Sequence, residues 1–234
     1  MADPRERLIV ALDVSSLAAA RKIVDAVSDS ASIYKIGMQL FTAEGPRAVE
    51  EVAAMGKQVF LDLKYHDIPN TVSAAVREAA KLGASMLTVH GAGGSAMLNA
   101  AVEAAQGRSL KLLAVTVLTS MDEHDLHEIG VEEDMGDQVF RIASLALHAG
   151  CAGIVSSARE VRSLRKKLES EFLAVTPGVR PAGSDKGDQA RIVTPAEAIA
   201  AGASHIVVGR PITAAPDPAR AAREILDQVA QPVG

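Results

Sequence analysis

The stretch Gln58–Val89, QVFLDLKYHDIPNTVSAAVREAAKLGASMLTV, carries the pattern from which the fold is read. Gln58–Leu63 is a short, mainly apolar run, and Thr71–Leu82 is Ala-rich with helical periodicity. The phrase Leu-Gly-Ala then leads into a second apolar run, Met86–Val89. Strand, helix and strand in that order make one βαβ unit. The strands are almost continuously apolar rather than alternating, as expected where both faces of a parallel sheet are covered.

The pattern recurs in both directions along the chain. Further candidate strands are Leu8–Leu12, Ile33–Ile36, Leu110–Val117, Gly153–Val155, Phe172–Val175 and His205–Val208. Amphipathic helices are expected at Leu17–Val27, Arg47–Met55, Ser95–Ala105, Asp137–His148, Ala158–Leu168, Pro195–Ala201 and Pro218–Val229. Ser16, Asn70, Thr194 and Asp217 stand where N-caps belong, and Gly83, Gly150 and Gly202 where left-handed C-caps belong. Eight such units without a linker or low-complexity segment predict an α/β fold, a (β/α)8 TIM barrel spanning residues 1–234 as a single domain. An open doubly wound sheet is the alternative. Two connections, Leu118–Gly136 and Pro177–Val193, are long enough to be lids or binding loops.

Composition narrows the class. Hydrophobic residues make up 48%, aromatics only 3%, and Trp is absent, so the core must be aliphatic. A net charge of −5 argues against nucleic acid or an anionic membrane as partner. Cys151 is the single cysteine, which excludes an intramolecular disulfide and reads as a buried small hydrophobe. The first residues lack the apolar run of a signal peptide and no segment is long enough to span a bilayer, so a cytoplasmic protein is expected.

Barrel enzymes gather their chemistry at the C-terminal ends of the strands. Here those positions hold Asp13, Lys35, the run Asp62-Leu-Lys-Tyr-His-Asp67, His90, Thr119, Ser156, Thr176-Pro-Gly and Gly209-Arg210. No nucleotide-binding glycine fingerprint or P-loop is present. On an extended strand Asp62 and Lys64 project from the same side, into the barrel mouth. Flanking carboxylates favour the charged ammonium and give a fixed proton donor; a structural ion pair, or magnesium on the carboxylates, are the other readings. Thr-Pro-Gly-Val-Arg180 and Val-Val-Gly-Arg210 follow the last two strands, where barrels commonly bind phosphate, although Arg210 can also be read as a surface residue. Asp122–Asp125 and the Arg159–Lys167 cations read as solvated surface. His66 and His90 read as packing residues, since no histidines show metal-ligand spacing.

The motifs Val-Ala-Leu-Asp13, Lys35-Ile-Gly, Asp62-Leu-Lys-Tyr-His-Asp-Ile-Pro-Asn-Thr71, Val117-Leu-Thr-Ser-Met121, Thr176-Pro-Gly-Val-Arg180, Gln189 and Val208-Gly-Arg210 come in one order from residue 8 to residue 212. In that order they resemble the orotidine 5′-phosphate decarboxylase family. The resemblance implies decarboxylation of orotidine 5′-monophosphate to uridine 5′-monophosphate, the last step of de novo pyrimidine biosynthesis, without metal or cofactor, in a homodimer with a shared active site. It implies that Lys64 donates a proton to C6 and that Asp62 lies against the leaving carboxylate. Asp67, Ile68 and Thr71 would reach the site of the neighbouring subunit. Asp13 and Lys35 would hold the ribose hydroxyls, Thr119 would belong to the lid with Ser120 or Asp122, and Arg180, Gln189, Gly209 and Arg210 would line the phosphate site.

Two other functions fit parts of the pattern. Sugar-phosphate enzymes of the same superfamily, 3-keto-L-gulonate 6-phosphate decarboxylase and hexulose-6-phosphate synthase, share Asp-x-Lys-x-x-Asp but carry a magnesium-binding Glu where Lys35 stands. A non-catalytic nucleotide-binding barrel would not require the complete Asp62, Lys64 and Asp67 set.

Overall fold

A computed structural model describes residues 3–168, 170–182 and 193–230. Its strands are β1 (Leu8–Ala11), β2 (Ile33–Gly37), β3 (Gln58–Tyr65), β4 (Met86–His90), β5 (Lys111–Val115), β6 (Gly153–Val155), β7 (Leu173–Thr176) and β8 (His205–Val208). They are parallel and close in sequence order, with β1 paired to β8. The chain is a TIM barrel; the open sheet is excluded.

The helices are α1 (Leu17–Val27), α2 (Met38–Glu44), α3 (Arg47–Ala54), α4 (Pro69–Lys81), α5 (Gly94–Ala105), α6 (Glu123–Glu128), α7 (Met135–His148), α8 (Ala158–Lys167), α9 (Pro195–Ala200), α10 (Arg210–Thr213) and α11 (Pro218–Ala230). Ser16 caps α1, Thr194 caps α9 in a reciprocal box with Glu197, and Asp217 accepts from Arg220 N at the head of α11. Asn70 does not cap α4. That helix begins at Pro69 with Ile68 in the cap position, because proline brings the φ of a first helical residue and lacks the N–H that would be left unpaired there. The short helices α2, α6 and α10 were not anticipated. None of the described helices is long and apolar enough to cross a membrane.

The period of two along each strand sorts the residues into two cores. Outward-facing Val10, Tyr34, Leu61, Leu87 and Ala114 pack under the helices. Inward-facing Ile9, Ile33, Phe60, Met86, Leu113, Val175 and Val207 fill the barrel as an apolar floor. A third cluster joins Val117, Ile142, Ile154 and Phe172 beneath α7 and α8. Val117 turns into it, so β5 ends earlier than its apolar run suggested. Cys151 is buried as expected, and desolvation pushes its thiol up to about 12. Arg165 departs from the solvated face expected of α8: its Nε donates to the Gly202 carbonyl at 3.1 Å, and its guanidinium lies over Phe172.

An isolated parallel bridge between Val179 and Val193 fastens the ends of the long connection after β7, and Arg180 N donates to the Val193 carbonyl at 3.0 Å.

Gly153 pairs with Leu113 on one side and Leu173 on the other. A Cβ there would overlap the Leu173 carbonyl and Cβ. Gly153→Ala is therefore expected to cost about 1–3 kcal/mol by overpacking. A thermal melt should show it as a loss of roughly 2–12 °C. An unchanged melting temperature would contradict this account of the β6–β7 contact.

Candidate active site

Four charged side chains converge where β1, β2 and β3 end. Asp62 and Lys64 share the inward parity of Phe60 and rise above the apolar floor that Phe60 belongs to. Asp13 continues the parity of Ile9 and Ala11. The backbone of Lys35 pairs with Ala11 and Phe60, a layer lower, and its long stem carries the ammonium up to the carboxylates. Lys35 Nζ lies 2.9 Å from Asp13 Oδ1 and 3.8 Å from Asp62 Oδ2. Lys64 Nζ lies 2.9 and 3.0 Å from the two Asp62 oxygens. The result is an alternating row, Asp13–Lys35–Asp62–Lys64. The Lys35 and Asp62 side chains are only 11% and 14% exposed, so the middle of the row is shielded from water while its ends are open.

The expectation that Asp62 and Lys64 point the same way holds, but not through a regular strand. Lys64 has φ +51°, in the left-handed region, and the β3–β4 register slips between Leu61 and Tyr65. For a lysine that conformation costs about 1–2 kcal/mol. Strain of this kind concentrates at functional sites, where the surroundings enforce it.

The row forms one wall of a cavity of about 500 Å3 in the barrel mouth. Val115, Val117 and Val155 give an apolar stretch of wall, Thr119 and Ser120 also line the cavity, and Arg180, Gly209 and Arg210 line the side formed after β7 and β8. Arg180 is buried and Arg210 exposed. Cationic side chains on this wall outnumber carboxylates, so the cavity favours an anion despite the acidic chain. Asp122 does not line the cavity; it caps α6 in a reciprocal box with Asp125. Gln189 lies outside the described residues.

Asp67, Ile68 and Thr71 are exposed and do not line the cavity of their own chain. Asp67 Oδ1 accepts from Ile68 N at 2.6 Å, and Ile68 presents an apolar side chain that is 67% exposed. Nearby, His66 and His90 stack with centroids 5.0 Å apart. Burial, reinforced by His66 and Lys64, holds the His90 imidazole below its ordinary range.

Two further residues contribute, Gly37, quoted above in its motif without a role, and Thr88, not named in the sequence reading. A Cβ on Gly37 would stand 2.9 Å from Lys35 Nζ and 3.3 Å from Asp13 Oδ1, so only glycine leaves that ion pair its space. Thr88 Oγ1 accepts from Lys64 N at 2.8 Å and donates to Asp62 Oδ1 at 3.0 Å. The available signal was parity: Thr88 is the polar residue two beyond Met86 on an inward face.

The model of the orotidine 5′-phosphate decarboxylase / HUMPS family matches residues 6–225. The chain belongs to this family. An orotidine 5′-phosphate decarboxylase of Moorella thermoacetica is 52% identical over 233 residues, covering 96% of this chain and 92% of the relative. One from Anaeromyxobacter sp. (strain K) is 53% identical over 222 residues, covering 95% and 97%. The crystal structure of orotidine 5′-phosphate decarboxylase from Lactobacillus acidophilus superposes with a TM-score of 0.86 at 38% identity, covering 97% of this chain and all of that one.

The Gly37 contact gives a direct check on the charge row in this family member. Gly37→Ala is expected to drive the Lys35 ammonium away from Asp13, and a crystal structure of the variant would show it. An unmoved Lys35 would mean that the backbone yields instead.

Proposed function

We propose that the chain decarboxylates orotidine 5′-monophosphate to uridine 5′-monophosphate and CO2, the last step of de novo pyrimidine biosynthesis, by a metal-free carbanion mechanism with Lys64 as proton donor. The observation that carries this reading is the Lys64 ammonium held on both Asp62 oxygens, in a cavity that Arg180 and Arg210 also line. A nucleotide fits that polarity, with its phosphate on the arginines and its pyrimidine towards Lys64.

The chemistry follows from charge. Breaking the C6–carboxylate bond releases CO2 and leaves the electron pair on C6, where the ring stabilises it poorly. The Lys64 ammonium stabilises that developing charge electrostatically and then transfers a proton to C6. The resulting amine recovers its proton from solvent. Asp62 lies against the departing carboxylate and keeps the ammonium aimed; its two oxygens are engaged by Lys64, which takes the charge-neutralising place a divalent metal would otherwise hold. Asp13 and Lys35 hold the ribose hydroxyls, and Lys35 stands where the magnesium enzymes of the superfamily carry their Glu.

Phosphate binding is remote from C6, yet its energy can close the loops over the base and be expressed in the transition state. Arg180, Gly209 and Arg210 form that phosphate site. Thr119 belongs to the lid, and Ser120 is the better second lid contact because Asp122 is engaged as a helix cap. The enzyme is a homodimer with a shared site, in which Asp67, Ile68 and Thr71 serve the neighbouring subunit. Their exposure beside the mouth, away from their own cavity, supports this.

An absorbance assay on orotidine 5′-monophosphate, with and without a chelator, tests the activity. Turnover that survives chelation is expected. No turnover, or activity on a sugar phosphate that a chelator abolishes, would overturn the reading. Lys64→Ala should reduce turnover below detection while uridine 5′-monophosphate still binds in a calorimetric titration; near-wild-type turnover would remove Lys64 as donor. Mixing inactive Asp67→Ala and Lys64→Ala chains should recover about a quarter of wild-type activity, since random pairing makes half the dimers hybrids with one intact site. No recovery with confirmed subunit exchange would exclude sharing.

A further inference from the structure

Thr88 is fully buried inside the barrel, on a strand whose preceding inward residue, Met86, belongs to the apolar floor. Its surroundings explain a hydroxyl there. The β3–β4 ladder pairs Leu61 with Leu87 and next Tyr65 with Val89, so β3 spends more residues than β4 on the same span. Asp62, Leu63 and Lys64 form this excursion, and Thr88 stands opposite it. Within it the Lys64 N–H is received by Thr88 Oγ1 at 2.8 Å. The hydroxyl proton goes to Asp62 Oδ1 at 3.0 Å, the oxygen that also lies 2.9 Å from Lys64 Nζ.

These contacts close a ring: Lys64 backbone, Thr88 hydroxyl, Asp62 carboxylate, Lys64 ammonium. A hydroxyl suits the position because it accepts and donates at once. A hydrocarbon of the same shape would leave the Lys64 N–H, in its left-handed conformation, without this acceptor and Asp62 without this donor.

We infer that Thr88 is a positioning residue for the decarboxylation: its hydroxyl stabilises the left-handed Lys64 backbone and fixes the Asp62 carboxylate, and so sets where the Lys64 ammonium stands. The kinetic consequence rests on the function proposed above; the structural consequence does not.

Thr88→Val keeps the shape and removes the hydroxyl, and Thr88→Ser keeps the hydroxyl. The two variants and wild type are compared by steady-state kinetics on orotidine 5′-monophosphate, by titration with uridine 5′-monophosphate, and by hydrogen exchange at the Lys64 amide. Thr88→Val should lose about 10- to 100-fold in kcat, the size expected for a hydrogen bond to a charged group. Its KM and product affinity should stay within about threefold, since ground-state binding is not what the hydroxyl supplies. Exchange at Lys64 should quicken by at least about tenfold. Thr88→Ser should recover both properties to within about fivefold of wild type. If Thr88→Val does not fold, Thr88→Ala takes its place with the same expectations.

Wild-type kcat in Thr88→Val, a serine variant as slow as the valine one, or a loss confined to KM would overturn the inference. Should wild type itself leave orotidine 5′-monophosphate unconsumed, the functional reading fails, and the exchange arm still decides: unchanged exchange at Lys64 in Thr88→Val refutes the anchor, and faster exchange supports it.

Discussion

At the top of the barrel one carboxylate serves two ammonium groups. Asp62 holds Lys64 through both oxygens and stands 3.8 Å from Lys35, which in turn reaches Asp13. Taking charges out of water costs several kcal/mol per ion unless each finds close partners of opposite sign. Alternation along the row supplies them. Without Asp62 the two cations would face each other across a shielded space, and breaking such a pair is far more costly than never having built it. The left-handed turn at Lys64, the slipped register of β3 and the bare Cα of Gly37 all serve this carboxylate and its neighbours.

The barrel makes so demanding an arrangement affordable by being rigid below it. Mostly branched aliphatic side chains, with Ala11, Met86 and Phe60, fill the interior under the charges. Packed at the density of an organic crystal, such a floor resists the displacement that electrostatic repulsion would otherwise drive. Strand parity carries the aliphatic Phe60 layer up to Asp62, and the irregular turn at Lys64 brings its ammonium to the same carboxylate. Arg180 and Arg210, the other cations of the cavity, follow β7 and β8 instead of lying within strands.

Much of this was legible in the chain. Eight apolar runs, each followed by helical periodicity, specify the barrel, and α1 begins and ends where its pattern does. Asp13, Lys35, Asp62 and Lys64 could be picked out by counting along the strands, and the structure brings all four together, although Lys35 stands within β2 and reaches the row by its long stem. What escaped depends on tertiary context. Nothing in a lysine announces a left-handed φ, which is enforced here by the contacts around it. The α2 and α6 segments are too short for periodicity to register, and α6 is held by the Asp122–Asp125 box. Arg165 looked like one cation among several on a surface helix because its partner carbonyl, Gly202, lies far along the chain. Pro69 did carry the signal for the start of α4, and Asn70 was a distraction beside it.

The bridge between Val179 and Val193 has a consequence for how this barrel can tolerate change. With both ends of that connection tied together next to Arg180, the barrel sees a closed loop of fixed span, whatever lies within it. Lengthening a loop whose ends are already joined is cheap, about 0.6 kcal/mol for each doubling. The connection can therefore be lengthened, shortened or recomposed while the strands and the charge row stay as they are. The bridge uncouples the length of that connection from the geometry of the barrel beneath it.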